Sequence, residues 1–351
     1  RSARPVMRSH SFRGFMTETP RSGPLPARNL LSPEFVRAML AGHSALGLAF
    51  AALIYIVCLS GTLAVFVFEF KRWEQPNAPL VAAEPDAAAL TRAMDAGFRA
   101  AKRHSATPDL FIAWDGTRSP HFTVSFHDHD SGLRREWLGD AQGNLVARVD
   151  APWSEFLARL HINLHLPPTY GLFLVGLTGV ALLSSLISGL LSHPRIFRDA
   201  FSFRIGGSRR LQDADLHNRL GVWGLPFHIA VSLTGALLGL SVLIVGVLAL
   251  AAYDGDSEKA FGVLVGPQAG GDLAPAPLPD LGAMIARIRA DRPDAVFASV
   301  HVEHAGTRGQ MTHLSMRTPG HLAGANPYYF DGAGRLVGDG GLESGSLGRQ
   351  I

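Results

Sequence analysis

Cysteine, charge and the common catalytic signatures are all scarce in this 351-residue chain. Its single cysteine, Cys58, excludes an intramolecular disulfide and, lying inside an apolar run, reads as a packing residue. Charged residues make up 17% of the chain, against about a quarter in an average soluble domain. No G-x-S-x-G, Walker A, Rossmann or H-E-x-x-H pattern occurs. That removes the common hydrolase, nucleotide-binding and zinc-protease readings.

Long apolar runs take the place of charge. Three windows, at Ala45–Phe70, Tyr170–Leu191 and Leu220–Ala252, contain no Lys or Arg, and their one acid is Glu69. Crossing a bilayer takes roughly 20 apolar residues, so each window reads as a membrane helix. The formal net charge is only +3 but is unevenly placed. The first 42 residues carry seven arginines against Glu18 and Glu34. The short link between the second and third runs carries Arg195, Arg198, Arg204, Arg209, Arg210 and Arg219 against Asp199, Asp213 and Asp215. By the positive-inside rule both segments are expected in the cytoplasm. Such stretches read as topology signals and contacts with membrane lipid, not as nucleic-acid sites.

The expected layout follows: a disordered cytoplasmic N-terminus over 1–34, membrane helices over 35–70, 161–192 and 217–252, a basic cytoplasmic loop over 193–216, and exterior segments over 71–160 and 253–351. The apolar run after the N-terminus is too long for a cleavable signal.

The chain also repeats itself. His43 is followed by Gly47 and Gly61, and His217, at the same offsets, by Gly221 and Gly235. Each exterior segment reads as a helical stretch followed by strand-like runs with Gly-bearing turns. Asp140-Ala-Gln-Gly143 in the first corresponds to Asp331-Gly-Ala-Gly334 in the second. The repeated unit is a membrane helix opening on a cytoplasmic-side histidine, then a small α+β exterior domain. A returning helix follows the first copy. The second copy reaches Ile351 first, which leaves a fourth span either outside this sequence or lost.

Histidines near the span ends are the candidate functional residues. His43 and His217 are equivalent by the repeat and lie at the cytoplasmic edge. His161 and His165 are expected one turn apart on one helical face at the exterior edge. His193 follows the second span. His228 is expected about three turns beyond His217 on nearly the same face, roughly 16 Å along the axis. Any one of these could be an interfacial ring. As a set, with His228 well inside a span, they point to a function, because ionisable groups in a membrane are costly. Imidazoles from neighbouring helices are how a bundle holds a b-type haem from both faces. No C-x-x-C-H attachment occurs, so such a haem would be non-covalent. Gly47, Gly61, Gly176, Gly179, Gly221, Gly224 and Gly235 would admit either a flat macrocycle or close helix packing. "HDHD" at 127–130 reads as a hairpin tip. His301, Glu303, His304, His313 and His321 read as a solvated sheet face.

The stretches "LHINLHLP…GLFLVGLTGVALLSSLISGLLSHPRIFRDAFSFR" and "DLHNRLGVWGLPFHIAVSLTGALLGL" resemble the PepSY-associated transmembrane helix family of bacterial inner-membrane proteins. The resemblance runs from about residue 35 to the end and is most specific from His161 to Leu240. It implies an α-helical membrane protein with three membrane helices here and a fourth expected, bearing two small α+β PepSY-like periplasmic domains. It further implies iron regulation and, in one type, a dihaem ferric-siderophore reductase. His43, His165 and His217 fall on the family's helix-edge histidines, and His228 on one found in the "LPFH" subgroup. Glu343, in "LESGSLG", stands where the family carries a histidine before its fourth span.

Two functions follow as expectations. One is an oxidoreductase with one or two b haems, held by His43 with His217 or His193 and by His165, His161 or His228. It would pass electrons from an unidentified donor to a ferric siderophore or other ferric chelate. A second copy of the chain could complete the bundle as a homodimer. The other is a non-enzymatic membrane protein whose PepSY-like segments bind a peptide or protein partner. A transporter fits less well, because charge-rich broken spans are missing.

Overall fold

The computed structural model describes residues 31–340, apart from 117–118, 129, 194, 202–207 and 321–323. Among the described residues, two helices are long and apolar enough to cross a membrane. A bent helix pair makes up to three.

The first, α1 (Pro33–Ala64), starts where the Ser32 hydroxyl accepts the amide N–H of Phe35, with Pro33 in the first turn where no N–H is needed. A short α2 (Val67–Glu74) follows. The second span is α5 (Pro168–Ser192). Before it, α4 (Pro152–Asn163) turns off at Leu164 and His165, both left-handed with φ of 54° and 56°. Pro167 and Pro168 make a continuous helix impossible at this junction. The expected run over 161–192 is therefore two helices.

The third apolar run is broken more strongly. After the single-turn α6 (Ile196–Asp199), helix α7 (Arg209–Trp223) begins eight residues ahead of the expected start. It meets α8 (Leu225–Gly239) at a 69° bend. Pro226 is the physical cause, since its ring excludes the N–H and crowds the preceding turn. Helix α9 (Ser241–Ala252) continues the apolar run, and α10 (Ser257–Val265) follows a turn at Tyr253–Asp256.

Helix α5 is the centre of the bundle, with α1 and α8 as its main neighbours. A Cβ on Gly176 would lie 2.7 Å from the Gly239 carbonyl carbon, and one on Gly179 would lie 2.9 Å from the Ala236 amide nitrogen. Those two glycines serve close packing of α5 on α8. Cys58, expected to pack, instead lies exposed on α1.

The two segments outside the apolar helices, expected as separate domains, share one sheet. The first supplies α3 (Ala87–Ala101), β1 (Asp109–Asp115), β2 (Ser119–His127), β3 (Arg134–Gly139) and β4 (Leu145–Arg148). The second supplies α11 (Leu281–Asp291), β5 (Val296–Glu303), β6 (Met311–Arg317), β7 (Asn326–Phe330) and β8 (Leu336–Asp339). All eight strands join one antiparallel sheet in the order β4-β3-β2-β1-β5-β6-β7-β8. The seam is β1 against β5, with Leu110 opposite Val302 and Ile112 opposite Val300. One core runs through both halves: Leu90 and Met94 of α3 and Ile285 and Ile288 of α11 cover Ile112, Phe122, Val300 and Leu314. Burying such side chains contributes about 1.5–3 kcal/mol each, and a shared core lets one pool of apolar area hold both copies.

The repeat shows in the turns. Asp140 Oδ1 accepts the N–H groups of Gln142 and Asn144, and Asp331 Oδ1 accepts those of Ala333 and Arg335. Gly143 and Gly334 take the left-handed positions at φ 83° and 76°. An ion pair in which Arg289 Nη2 of α11 donates to both carboxylate oxygens of Glu84, just before α3, ties the copies together, and Glu84 also accepts the Phe297 amide.

Candidate functional site

Two of the predicted histidines come together. The rings of His43 on α1 and His217 on α7 lie 6.0 Å apart, centroid to centroid, with planes tilted by 58°. The His43 Nδ1 lies 2.9 Å from the main-chain oxygen of Ser185 on α5. A carbonyl can only accept, so Nδ1 carries the proton and Nε2 keeps its lone pair. This contact is open because residue 189, one turn on, is glycine. A Cβ there would stand 3.1 Å from His43 Cε1.

The same device recurs with His161. Its Nδ1 donates to the Val57 carbonyl of α1 at 3.0 Å, and a Cβ on Gly61, again four residues on, would stand 2.7 Å from its Cε1. Each imidazole thus sits in a notch made by a carbonyl and a glycine one turn later. His43 and Val57 are fourteen residues apart on α1, roughly 21 Å along the axis. The two notches therefore lie near opposite ends of one membrane-length helix. Placement of His161 is reinforced from outside the bundle. The Glu74 carboxylate of α2 accepts the N–H groups of Trp153 and Ser154 and the Ser154 hydroxyl, capping α4.

Other expected pairings are not formed. His161 and His165 do not share a helical face, because the chain turns left-handed at 164–165. His165 points Nε2 at the Phe156 carbonyl, 3.0 Å away, and stacks near the Phe156 ring, so that nitrogen is already engaged. His217 and His228 do not share one helix face either, because the 69° bend lies between them. His228 sits in the first turn of α8, its Cε1 2.7 Å from a notional Cβ on Gly224. His193 is the C-cap of α5, just beyond Gly189. Glu343 and His321 lie outside the described residues.

Does this arrangement fit a haem? Two imidazoles binding one iron from opposite faces, with metal–nitrogen bonds of about 2 Å, hold their ring centres roughly 6 Å apart. His43 and His217 meet that separation, and the His43 tautomer directs a lone pair away from its carbonyl anchor. A Cβ on Gly47 or Gly221, one turn beyond each histidine, would meet nothing within 4 Å, so space is open beside both rings. The His43–His217 pair fits. At the other end His161 is presented in the same way, without a second imidazole against it among the described residues.

A different cluster lies on the sheet, on the face opposite α3 and α11. Phe111 pairs with His301, His301 with His313, and His313 with Tyr329 across β1, β5, β6 and β7. Asp109 and Glu303 lie two residues along the same face. Phe111 stacks on His301 with ring centroids 4.0 Å apart. All of these but Tyr329 line a pocket of about 460 Å³, whose wall also includes Phe261 of α10, Gln268 and Ala269. The expectation of a solvated face is overturned here: His313 and Glu303 are 15% and 13% exposed in their side chains. Burial pushes the His313 pKa down from its ordinary value, against the upward pull of the Glu303 carboxylate. Local alternation reads these residues as solvated because their cover, from Phe261, Gln268 and Ala269, comes from a separate stretch of the chain.

The "HDHD" tip serves as a turn. Asp128 accepts the hydroxyls of Ser105 and Ser131 and the Ser131 amide. Those hydrogen bonds, Ser105 foremost, hold its pKa down at about 2.

These features define a class: a membrane protein with two or three apolar spans, histidines in its helix interfaces and an antiparallel sheet domain. The description of the PepSY-associated TM region matches residues 40–326, and the chain belongs to that family. A relative from Pseudomonas aeruginosa, described as "Uncharacterized protein PA4219", is 34% identical over 174 residues. That stretch is 50% of this chain and 41% of the relative, so the match spans less than half of the relative's length.

Proposed function

We propose that this chain is a b-haem oxidoreductase of the bacterial inner membrane that passes electrons outward to a ferric siderophore or another ferric chelate. In this reading the basic 193–216 segment faces the cytoplasm and the eight-stranded sheet stands in the periplasm. The observation that carries it is the His43–His217 pair, at bis-imidazole separation, with His43 fixed in one tautomer by the Ser185 carbonyl.

A haem bound there would supply a one-electron carrier. The chain's own residues do the rest. The Ser185 carbonyl orients His43 and raises its basicity as a ligand, which is how outer partners tune a metal site. Gly189 keeps that carbonyl within reach. Gly47 and Gly221 leave room at the helix faces. The apolar surface of α1 around His43 excludes water and favours the less charged redox state. His161, roughly 21 Å along α1 from His43, supplies a ligand for a carrier nearer the sheet. Reduction of a ferric chelate weakens its hold, because hard oxygen donors prefer the higher-charged ion.

The test is a reduced-minus-oxidised spectrum, with iron stoichiometry, of the full chain purified from haem-replete cells. The reading expects b-type bis-imidazole bands that vanish in His217→Ala. A colourless protein that still captures a peptide partner would replace it with the non-enzymatic module.

A further inference from the structure

We propose that His301, Glu303 and His313 form a binding site for one first-row divalent transition ion, separate from the helix histidines, in the sheet pocket beneath α10. The ligand atoms of these three residues lie within 4.8 Å of one another. Glu303 Oε1 is 3.6 Å from His313 Nε2 and 3.9 Å from His301 Nδ1. A tetrahedral ion with bonds of 2.0–2.1 Å sets its ligands about 3.4 Å apart. Small rotations about the side-chain torsions close that difference.

Neighbouring groups present the three residues as ligands. The Ala269 amide donates to Glu303 Oε2 at 2.8 Å, which turns Oε1 toward the histidines. The Pro267 carbonyl takes a hydrogen bond from the His313 ring. The opposite nitrogen, Nε2, is buried without a hydrogen-bond partner and faces the carboxylate. That is a lone pair with no protein donor. Asp109 Oδ2 stands 3.6 Å from His301 Nε2, the carboxylate–histidine arrangement that commonly backs a metal-bound imidazole. Asp109 is itself fixed, its Oδ1 accepting the His304 amide.

Left without an ion, the buried His313 Nε2, facing a carboxylate too far away for a hydrogen bond, would carry a desolvation cost with little return. Two imidazoles and a carboxylate suit Zn(II) or Fe(II) over Mg(II) or Ca(II), which take oxygen ligands. Three protein ligands beside a 460 Å³ pocket leave a coordination position for water or a small ligand.

The experiment is calorimetric titration of Zn(II) into the full chain, purified in detergent and stripped with a chelator. One equivalent is expected. Glu303→Gln, which keeps an oxygen for the Ala269 amide and so preserves the fold, should weaken binding at least tenfold, and His313→Ala should abolish it. Asp109→Asn should weaken it about 10- to 100-fold. His104→Ala, an exposed ring elsewhere on the sheet domain, and His43→Ala should leave it unchanged. No tight equivalent in the native chain, equal binding by Glu303→Gln, or loss of binding in His104→Ala would overturn the proposal.

Discussion

The helix histidines and the sheet histidines are built differently. His43 and His161 each give a proton to a main-chain carbonyl in a glycine notch, and neither hydrogen bond involves a carboxylate. His301 and His313 instead face Asp109 and Glu303. Neutral imidazoles suit a ligand that brings its own charge balance, as a porphyrin dianion does. Imidazoles beside carboxylates suit a bare cation, whose charge must be met by the protein in a partly buried site. The lesson is that charge near a histidine, more than the histidine, separates the two readings.

The widest separation between the groups should come from reciprocal substitutions. His43→Ala should remove the b-type absorbance of the pair it shares with His217 and leave Zn(II) binding intact. His313→Ala should do the reverse, read by spectrum and titration on the same two proteins. If both variants lost both ligands, the two sites would not be independent.

Next comes the notch. Gly189→Val would drive its side chain into the His43 ring, which already stands 3.1 Å from a notional Cβ. Most of the absorbance lost in His43→Ala should be lost here too, although no ligand is removed. Unchanged absorbance would show that the Ser185 carbonyl does not position His43.

A smaller effect should follow on the sheet alone. Glu84→Gln weakens the ion pair with Arg289 that ties the two copies. Because the pair is partly exposed, a loss of about 1 kcal/mol is expected in thermal or denaturant unfolding of the sheet domain. The helix spectrum should not move.

The smallest effect should show as a pH dependence at the acid end. The pKa of Asp128 is about 2 in the folded chain, below its ordinary carboxylate value. Its contribution to stability is full above pH of about 4 and is lost as pH falls toward 2. Asp128→Asn should flatten the stability profile in that window, with its loss of stability greatest near neutrality and vanishing toward pH of about 2.

Much of this was legible in the chain. The apolar runs mark α1 and α5, and the Asp140–Gly143 and Asp331–Gly334 turns mark the repeat, because these signals are local. The match of His43 with His217 was readable from their shared offsets to glycine. Other features were not. Pro226 signals the break between His217 and His228, but the continuous apolar pattern on both sides concealed it. The left-handed turn at Leu164 and His165 depends on Asn163 and two following prolines acting together. The fusion of both copies into one sheet rests on β1 pairing with β5, nearly two hundred residues later, and no local pattern encodes such a contact. The His301–Glu303–His313 cluster needs β5 and β6 paired with His301 opposite His313, and the Gly189 notch needs α1 packed on α5.

The central claim is that His43 and His217 clamp one haem. It is tested most directly by reduced-minus-oxidised spectra and haem stoichiometry of the native chain beside His217→Ala, both purified from haem-replete cells. The account predicts bis-imidazole b-type bands in the native protein and at least one haem fewer per chain in the variant. Identical spectra and stoichiometry in the two proteins, or no haem in the native one, would contradict it.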